Sequence, residues 1–152
     1  MVHQIRPLMS DPKHINILED TAVPYLSDKT SRKFLSMARN GLTISELNQL
    51  MESAPLTLSD WAHILCISER SLQRYQKSGH RFPVPESEKL LRIGQLFNKG
   101  RTVFGSDEKF FGWLKDRSAA LGGESPLSLL DSIFGLDMVL DELMRIEHGV
   151  FA

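Results

Sequence analysis

Apolar positions along most of this chain recur three or four residues apart, which is the period of an amphipathic helix. No segment alternates apolar and polar residues with the period of two that a half-buried strand requires. Glycine or proline follows most of the periodic segments, and serine or threonine precedes several of them as a candidate cap. The pattern therefore predicts an all-α fold.

Capping and stop residues divide the pattern into separate helices. Thr43 and Glu46 have the spacing of a capping box. Residues 81–85 are predicted to be a stiff spacer, because Pro83 and Pro85 disfavour a helical conformation of the residue before them. The predicted helices cover residues 29–38, the segment between Thr43 and Pro55, two segments between Thr57 and Gly79, about 86–103, two short segments that begin at Ser106 and Ser125, and about 135–148.

The segment 58–77, LSDWAHILCISERSLQRYQK, has the apolar spacing of a helix-turn-helix unit. Ala62 occupies its fifth position, where two helices cross too closely for a larger side chain. The other positions that face the shared core of such a unit are Trp61, Leu65, Ile67, Leu72 and Tyr75. The ninth position is Cys66, where glycine is common because the backbone tends toward positive φ, so we expect a small strain there.

The polar face of the second helix in this unit has the composition of a DNA-reading surface. Only Glu69 is acidic, whereas basic residues recur on that face and just beyond it up to Arg81. An ordinary helical hairpin shows the same apolar spacing, but it usually mixes both charge signs at i,i+4 spacing. The residues predicted to contact DNA, through bases or phosphates, are Ser68, Arg70, Ser71, Gln73, Arg74 and Lys77.

Charge is distributed unevenly along the chain although the formal net charge is −1. Residues 68–101 hold eight basic and three acidic residues, a net charge of +5, whereas residues 105–152 hold four and nine, a net charge of −5. A basic segment suits phosphate contacts, and an acidic one is expected to face away from DNA and to have a second task. We therefore predict a DNA-binding domain over 28–104 and a second domain over 105–152. Residues 1–27 contain three prolines and lack a sustained apolar period, so they are predicted to be a loose N-terminal arm.

Several classes of function are disfavoured by the sequence. No apolar run approaches the roughly 18 residues of a membrane span, and the first twenty residues lack the apolar block of a signal peptide, so we expect a cytoplasmic protein. The single Cys66 cannot form an internal disulfide, and its neighbour His63 lacks the further ligands of a closed zinc site. No catalytic motif such as G-x-S-x-G or H-E-x-x-H is present. We expect neither enzyme activity nor a metal or cofactor.

The C-terminal part of the chain carries two blocks that resemble a known family. Residues 121–131, LGGESPLSLLD, and 141–152, DELMRIEHGVFA, resemble the signature of the Xre/MbcA/ParS-type antitoxins, and the likeness covers about 41–152. The resemblance implies an Xre-like helix-turn-helix domain followed by a small helical C-terminal toxin-binding domain. It also implies a type II toxin–antitoxin system, in which the protein neutralises a RES-domain toxin that degrades NAD and represses its own operon. The implied partners are that toxin, in a hetero-oligomer, and operator DNA.

Candidate toxin contacts are apolar or terminal residues of the C-terminal part. We predict that the toxin is bound by Trp113, Pro126, Leu127, Leu130, His148, Gly149, Val150 and Phe151. Leu130, like Leu143 and Ile146, also fits a role in the core of the domain itself. Val150 and Phe151 follow the last predicted helix and are better interface candidates, although Phe151 can also fold back onto that helix.

Two further features of function stay open at the level of sequence. A stand-alone transcriptional regulator with a ligand-sensing C-terminal domain is an alternative that only the signature blocks disfavour. Helix-turn-helix readers usually dimerise so that two recognition helices meet half-sites about 34 Å apart. We therefore expect a homodimer, with either the long helix or the C-terminal domain supplying the contact.

Overall fold

The computed structural model of the protein describes residues 28–149. The predicted arm over 1–27 and the terminal residues Val150 and Phe151 lie outside this range. The helices within it are α1 (Asp28–Asn40), α2 (Ile44–Glu52), α3 (Leu58–Leu65), α4 (Glu69–Ser78), α5 (Val84–Phe104), α6 (Asp107–Lys115), two short 3₁₀ helices (Ala119–Leu121 and Leu127–Asp131) and α7 (Ile133–Glu147). The described residues contain no β-strand, which confirms the all-α prediction.

Side-chain caps fix the starts of three helices, and the first is the capping box that the sequence predicts. Thr43 Oγ1 accepts a hydrogen bond from the Glu46 N–H at 3.3 Å, and Glu46 Oε2 accepts one from the Thr43 N–H at 2.6 Å. Thr57 and Asp60 form the same reciprocal pair ahead of α3. Ser68 Oγ accepts from the Ser71 N–H at 3.0 Å and caps α4. Each bond satisfies an N–H group that the helix itself leaves unpaired.

Two helices begin earlier than the sequence pattern predicts. α5 starts at Val84 and not at 86, because proline fits the first turn of a helix, where its missing N–H is not needed. The extended spacer therefore ends at Pro83. α7 starts at Ile133 and not at 135, because Ser132 Oγ accepts a hydrogen bond from the Phe134 N–H and caps the helix.

The hydrophobic core is continuous from the N-terminal to the C-terminal part of the described chain. α5 lies at its centre and packs against α1, α6 and α7. The ring of Phe97 on α5 packs edge-on against Trp61 of α3, with 6.0 Å between the ring centres. It also packs edge-on against Phe110 and Phe111 of α6, at centre-to-centre distances of 6.0 and 5.3 Å. One aromatic side chain thus packs against both of the parts that the sequence divides at residue 105.

Candidate DNA-binding face and toxin-binding surface

Helices α3 and α4 form the helix-turn-helix unit that the apolar spacing predicts. The predicted core positions are all buried or half-buried, and they are Trp61, Ala62, Leu65, Ile67, Leu72 and Tyr75. Cys66 ends α3 with φ 56° and ψ 39°, so the positive φ expected at the turn is confirmed. The turn then lets α4 leave α3 with its polar face outward.

The outward face of α4 carries the cations that the sequence analysis predicts for DNA contact. Arg70, Gln73, Arg74 and Lys77 are exposed, and the Arg74 guanidinium lies 5.6 Å from the centre of the Tyr75 ring. The hydroxyls of Ser68 and Ser71 bond each other at 2.9 Å, and Ser68 also caps the helix. The structure therefore places five of the six predicted residues on α4 and the sixth, Ser68, at its N-cap.

The basic surface is smaller than the composition of residues 68–101 suggests. Arg92 forms an ion pair with Asp137 on α7, which joins α5 to the acidic part of the chain. Two further ion pairs of the same kind are Lys99–Glu147 at 2.6 Å and Arg101–Asp107 at 2.9 Å. The opposite charges of the two parts therefore pair with each other, whereas the cations on the outward face of α4 remain exposed.

A buried lysine joins the helix-turn-helix unit to the signature block of residues 121–131. Lys89 Nζ donates to the carbonyl oxygen of Ile64 near the end of α3 and, at 2.6 Å, to that of Asp131 at the end of the second 3₁₀ helix. Carbonyls at the ends of helices carry partial negative charge, which suits an ammonium group. Burial lowers the pKa of Lys89, and the nearby Cys66 and Asp131 oppose that shift.

The last turn of α3 and its C-cap residue make two more contacts with the same 3₁₀ helix. His63 Nε2 lies 2.9 Å from the carbonyl oxygen of Ser128, and Cys66 Sγ donates to that of Asp131 at 3.2 Å. We call the three donors, His63, Cys66 and Lys89, with their backbone acceptors the junction. Sequence reasoning missed it, because nothing in the spacing distinguishes Lys89 from a solvated lysine of a long helix.

The predicted toxin-binding residues occupy different environments. Leu130 is fully buried and Pro126 is buried, so both side chains pack inside the domain, and their predicted contact with the toxin remains a prediction. Leu127 is half-buried against the core. Trp113 is also half-buried, and it lines an open surface cleft with Phe104, Glu108 and Asp116 among others.

The end of α7 matches its predicted geometry. His148 and Gly149 are exposed, and Gly149 has φ +66°, the left-handed conformation expected of a glycine that follows a helix. Val150 and Phe151 lie beyond the described residues, so their predicted contact with the toxin remains a prediction. Leu143 is buried and Ile146 half-buried, in agreement with a role in the domain itself.

The structure also shows exposed apolar residues that the sequence analysis missed. Phe134, at the start of α7, is 82% exposed, and Ile133 and Met138 are exposed beside it. The sequence pattern places the start of the last helix at Gly135, so Ile133 and Phe134 are assigned to no helix face. Ser132 is the sequence signal for their position, because its side chain caps α7 and so places both residues in the first turn of the helix.

No described helix is both long and apolar enough to cross a membrane. Within the same residues, the side chains of histidine, cysteine, aspartate and glutamate form no group of three or more that could hold a metal ion.

Comparisons with known proteins identify the family. The model of the antitoxin Xre-like helix-turn-helix domain matches residues 33–94, and that of the antitoxin Xre/MbcA/ParS C-terminal toxin-binding domain matches 99–149. Antitoxin Xre from Yersinia enterocolitica serotype O:8 / biotype 1B is 30% identical over 113 residues, which are 74% of this chain and 76% of the relative. This chain belongs to the Xre antitoxin family. It is an antitoxin of a toxin–antitoxin system, with a toxin as its partner.

Two more distant relatives extend the comparison of this Xre-type antitoxin. Antitoxin Xre from Photorhabdus laumondii subsp. laumondii is 26% identical over 116 residues, covering 76% of this chain and 78% of the relative. The Prs ADP-ribosylating antitoxin from Sphingobium sp. strain YBL2 is 23% identical over 127 residues, covering 78% and 80%. In this antitoxin, α5 runs through the end of one matched range and the start of the other.

Proposed function

We propose that this antitoxin neutralises a RES-domain toxin that degrades NAD and represses its own operon by binding operator DNA through α4. The observation that carries the proposal is the exposed cationic face of α4 on a helix-turn-helix unit that shares one core with a toxin-binding domain. The RES identity of the toxin rests on the resemblance of residues 121–131 and 141–152 to the family signature.

The DNA-binding part of the proposal rests on what the exposed groups of α4 can do. Arg70, Arg74 and Lys77 each present a charged group to solvent, and such groups bind phosphates or the edges of guanine. A homodimer would place two such helices on successive half-sites about 34 Å apart.

The proposed toxin-binding surface includes the residues that follow α7. Gly149 turns the backbone at the end of α7, and the apolar Val150 and Phe151 follow it in the sequence. We propose that Val150 and Phe151 act as an apolar anchor on the toxin. Deletion of residues 150–152 is then expected to abolish neutralisation while the melting temperature is retained; a large fall in melting temperature would instead assign Phe151 to the core.

A co-expression experiment tests the identity of the toxin. The toxin gene next to the antitoxin gene is expressed alone or together with the antitoxin, and growth and cellular NAD are measured. Toxin alone should stop growth and deplete NAD, and the antitoxin should restore both. Growth arrest without loss of NAD would show that the toxin is not of the RES type, and growth arrest that the antitoxin does not relieve would contradict neutralisation.

A promoter experiment tests repression separately. A reporter under the control of the operon's own promoter is measured with and without the antitoxin, and a gel-shift assay with the same DNA measures binding. Repression and a shifted band are expected. A promoter whose activity and mobility are unaffected by the antitoxin would refute the operator-binding proposal without affecting the toxin.

A further inference from the structure

An apolar patch is exposed at the amino end of α7. We define the α7 patch as Ile133, Phe134 and Met138, whose side chains are 40%, 82% and 47% exposed. Phe134 and Met138 are four residues apart and therefore lie on one face of the helix. A contiguous exposed apolar patch of this kind on a globular protein commonly marks an interaction site.

The exposure of Phe134 does not come from a loosely held helix end. Ser132 caps the first turn by accepting the Phe134 N–H. On the other side of the helix, a Cβ atom added to Gly135 would lie 1.9 Å from the carbonyl oxygen of Leu129, so α7 lies directly against the 3₁₀ helix there. The Arg92–Asp137 ion pair ties the next turn to α5. The phenyl ring is therefore presented on a well-anchored helix, as a preorganised anchor residue would be.

Charged residues border the patch. Asp131 precedes it and is exposed, and Asp141 is exposed on the same face of α7, three residues after Met138. Arg145 follows on that face, and its guanidinium pairs with Glu142 at 3.0 Å. The rim therefore carries two exposed carboxylates, and a partner that covers the patch is expected to place basic groups beside them.

We propose that the α7 patch docks into an apolar pocket with a basic rim on the toxin, and that Phe134 is the principal anchor of this contact. The inference rests on the proposed neutralisation of a toxin, and it assigns the contact to a specific surface. The patch lies within residues 99–149, which match the toxin-binding domain of the family.

The test is a double variant, Phe134→Ala with Met138→Ala, in the full chain. Alanine keeps the helix, because it has the highest helix propensity. Affinity for the purified toxin is measured by calorimetry or by surface plasmon resonance, with the melting temperature and the molar mass by light scattering measured on the same samples. We expect a loss of affinity of about thirtyfold or more, as for an interface hot spot, with melting temperature and mass unchanged.

The matched control is Leu35→Ala, which shortens a side chain that is 44% exposed on α1, outside the matched toxin-binding range. It should leave toxin affinity unchanged. Unchanged affinity of the double variant, when the wild type binds the toxin, would overturn this inference alone. Absence of binding by the wild type would overturn the proposed function and the inference together. A change in molar mass would identify a second copy of the chain as the occupant and would also overturn it.

The charge of the rim is tested independently with Asp141→Lys. If basic groups surround the toxin pocket, this variant should weaken binding about tenfold and more strongly at low salt. Glu52→Lys, which changes an exposed carboxylate on α2 outside the matched toxin-binding range, is the control and should have a smaller effect. Equal effects of the two variants would overturn the proposed basic rim and would indicate long-range attraction only.

Discussion

The proposed role of Arg74 in DNA binding can be tested separately from folding. Its side chain is exposed on α4, and its guanidinium lies 5.6 Å from the centre of the Tyr75 ring. A guanidinium so placed can bind either a guanine edge or a phosphate, and the two roles differ in their consequences.

Arg74→Ala is therefore expected to weaken operator binding while leaving toxin affinity intact. Loss of a base contact should cost ~1–3 kcal/mol and relax specificity at one base pair, whereas loss of a phosphate contact should weaken all sequences and lower the salt slope by about one. Gel-shift titrations over a range of salt concentrations distinguish the two. Arg117→Ala, in the acidic part, is the control, and unchanged operator affinity of the Arg74 variant would argue against α4 as the recognition helix.

Single residues also mark the limit of what the sequence predicts. The six residues predicted for DNA contact lie on α4 or at its N-cap, because their spacing and one local cap determine their position. Lys89 was not predicted as a buried group, because its acceptors on Ile64 and Asp131 lie 25 and 42 residues away in the sequence. Such contacts depend on how distant elements pack, and local periodicity contains no information about them.

Two close contacts between helical segments depend on glycine, which has no side chain. α5 and α6 approach each other so closely at Gly100 that an added Cβ atom would lie 2.0 Å from Cε2 of Phe110. Gly135 on α7 has the same property toward Leu129. In the sequence, Gly135 indicates a helix boundary because glycine is a poor helix former; in the structure it lies inside the helix because no larger residue fits.

Gly100→Ala is expected to destabilise the fold by ~1–3 kcal/mol, because the methyl group must displace the Phe110 ring or separate the helices. Gly112→Ala is the matched control, since Gly112 is also helical but an added Cβ atom has no neighbour within 4 Å. This second variant should stabilise the protein by about 0.5–1 kcal/mol through helix propensity. Urea unfolding of both variants measures the difference, and equal effects would contradict the close packing.

The carboxyl end of α7 is held to α5 by Lys99 and Glu147, whose charged groups are 2.6 Å apart. The hydrogen bond from Lys99 lowers the pKa of the Glu147 carboxyl. Because the pKa in the folded state is below that in the unfolded state, this contact stabilises the fold above the ordinary carboxyl pKa. The contribution is lost as the pH falls through the lowered pKa.

Glu147→Gln should therefore be less stable than the wild type at neutral pH, and the difference should vanish at acidic pH. Because the pair is at the surface, the difference should be small and should shrink with added salt. Urea unfolding at a series of pH values measures it, and the carboxyl carbon shift of Glu147 in NMR spectra reports its pKa directly. On a Lys99→Met background, which lacks the hydrogen-bond donor, the effect of Glu147→Gln and its pH dependence should be much smaller.

At the scale of the whole molecule, the two matched domains share one hydrophobic core. Phe97 packs against Trp61 on one side and the α6 aromatics on the other, and ion pairs from α5 reach both α6 and α7. The charge pattern of the sequence predicts two parts with separate tasks, and it cannot show that opposite charges would bring them together. We therefore expect the described part of the chain to unfold as one cooperative unit.

Two tryptophans test this cooperativity. Trp61 reports on the helix-turn-helix unit and Trp113 on the C-terminal domain, so the variants Trp113→Phe and Trp61→Phe each leave one reporter. Within each variant, the urea midpoint from fluorescence should coincide with the midpoint from far-ultraviolet circular dichroism. Midpoints that differ by more than the experimental error would show that the two domains unfold separately.

The two sides of the junction between the domains differ in how well they tolerate mutation. Its acceptors on Ile64, Ser128 and Asp131 are backbone oxygens, which every amino acid carries, whereas its donors on His63, Cys66 and Lys89 are side-chain groups. Substitutions on the 3₁₀ helix therefore keep the acceptors, while loss of any one donor side chain removes at least one bond. The toxin-binding domain can thus change its sequence to follow a diverging toxin and still dock onto the same helix-turn-helix unit.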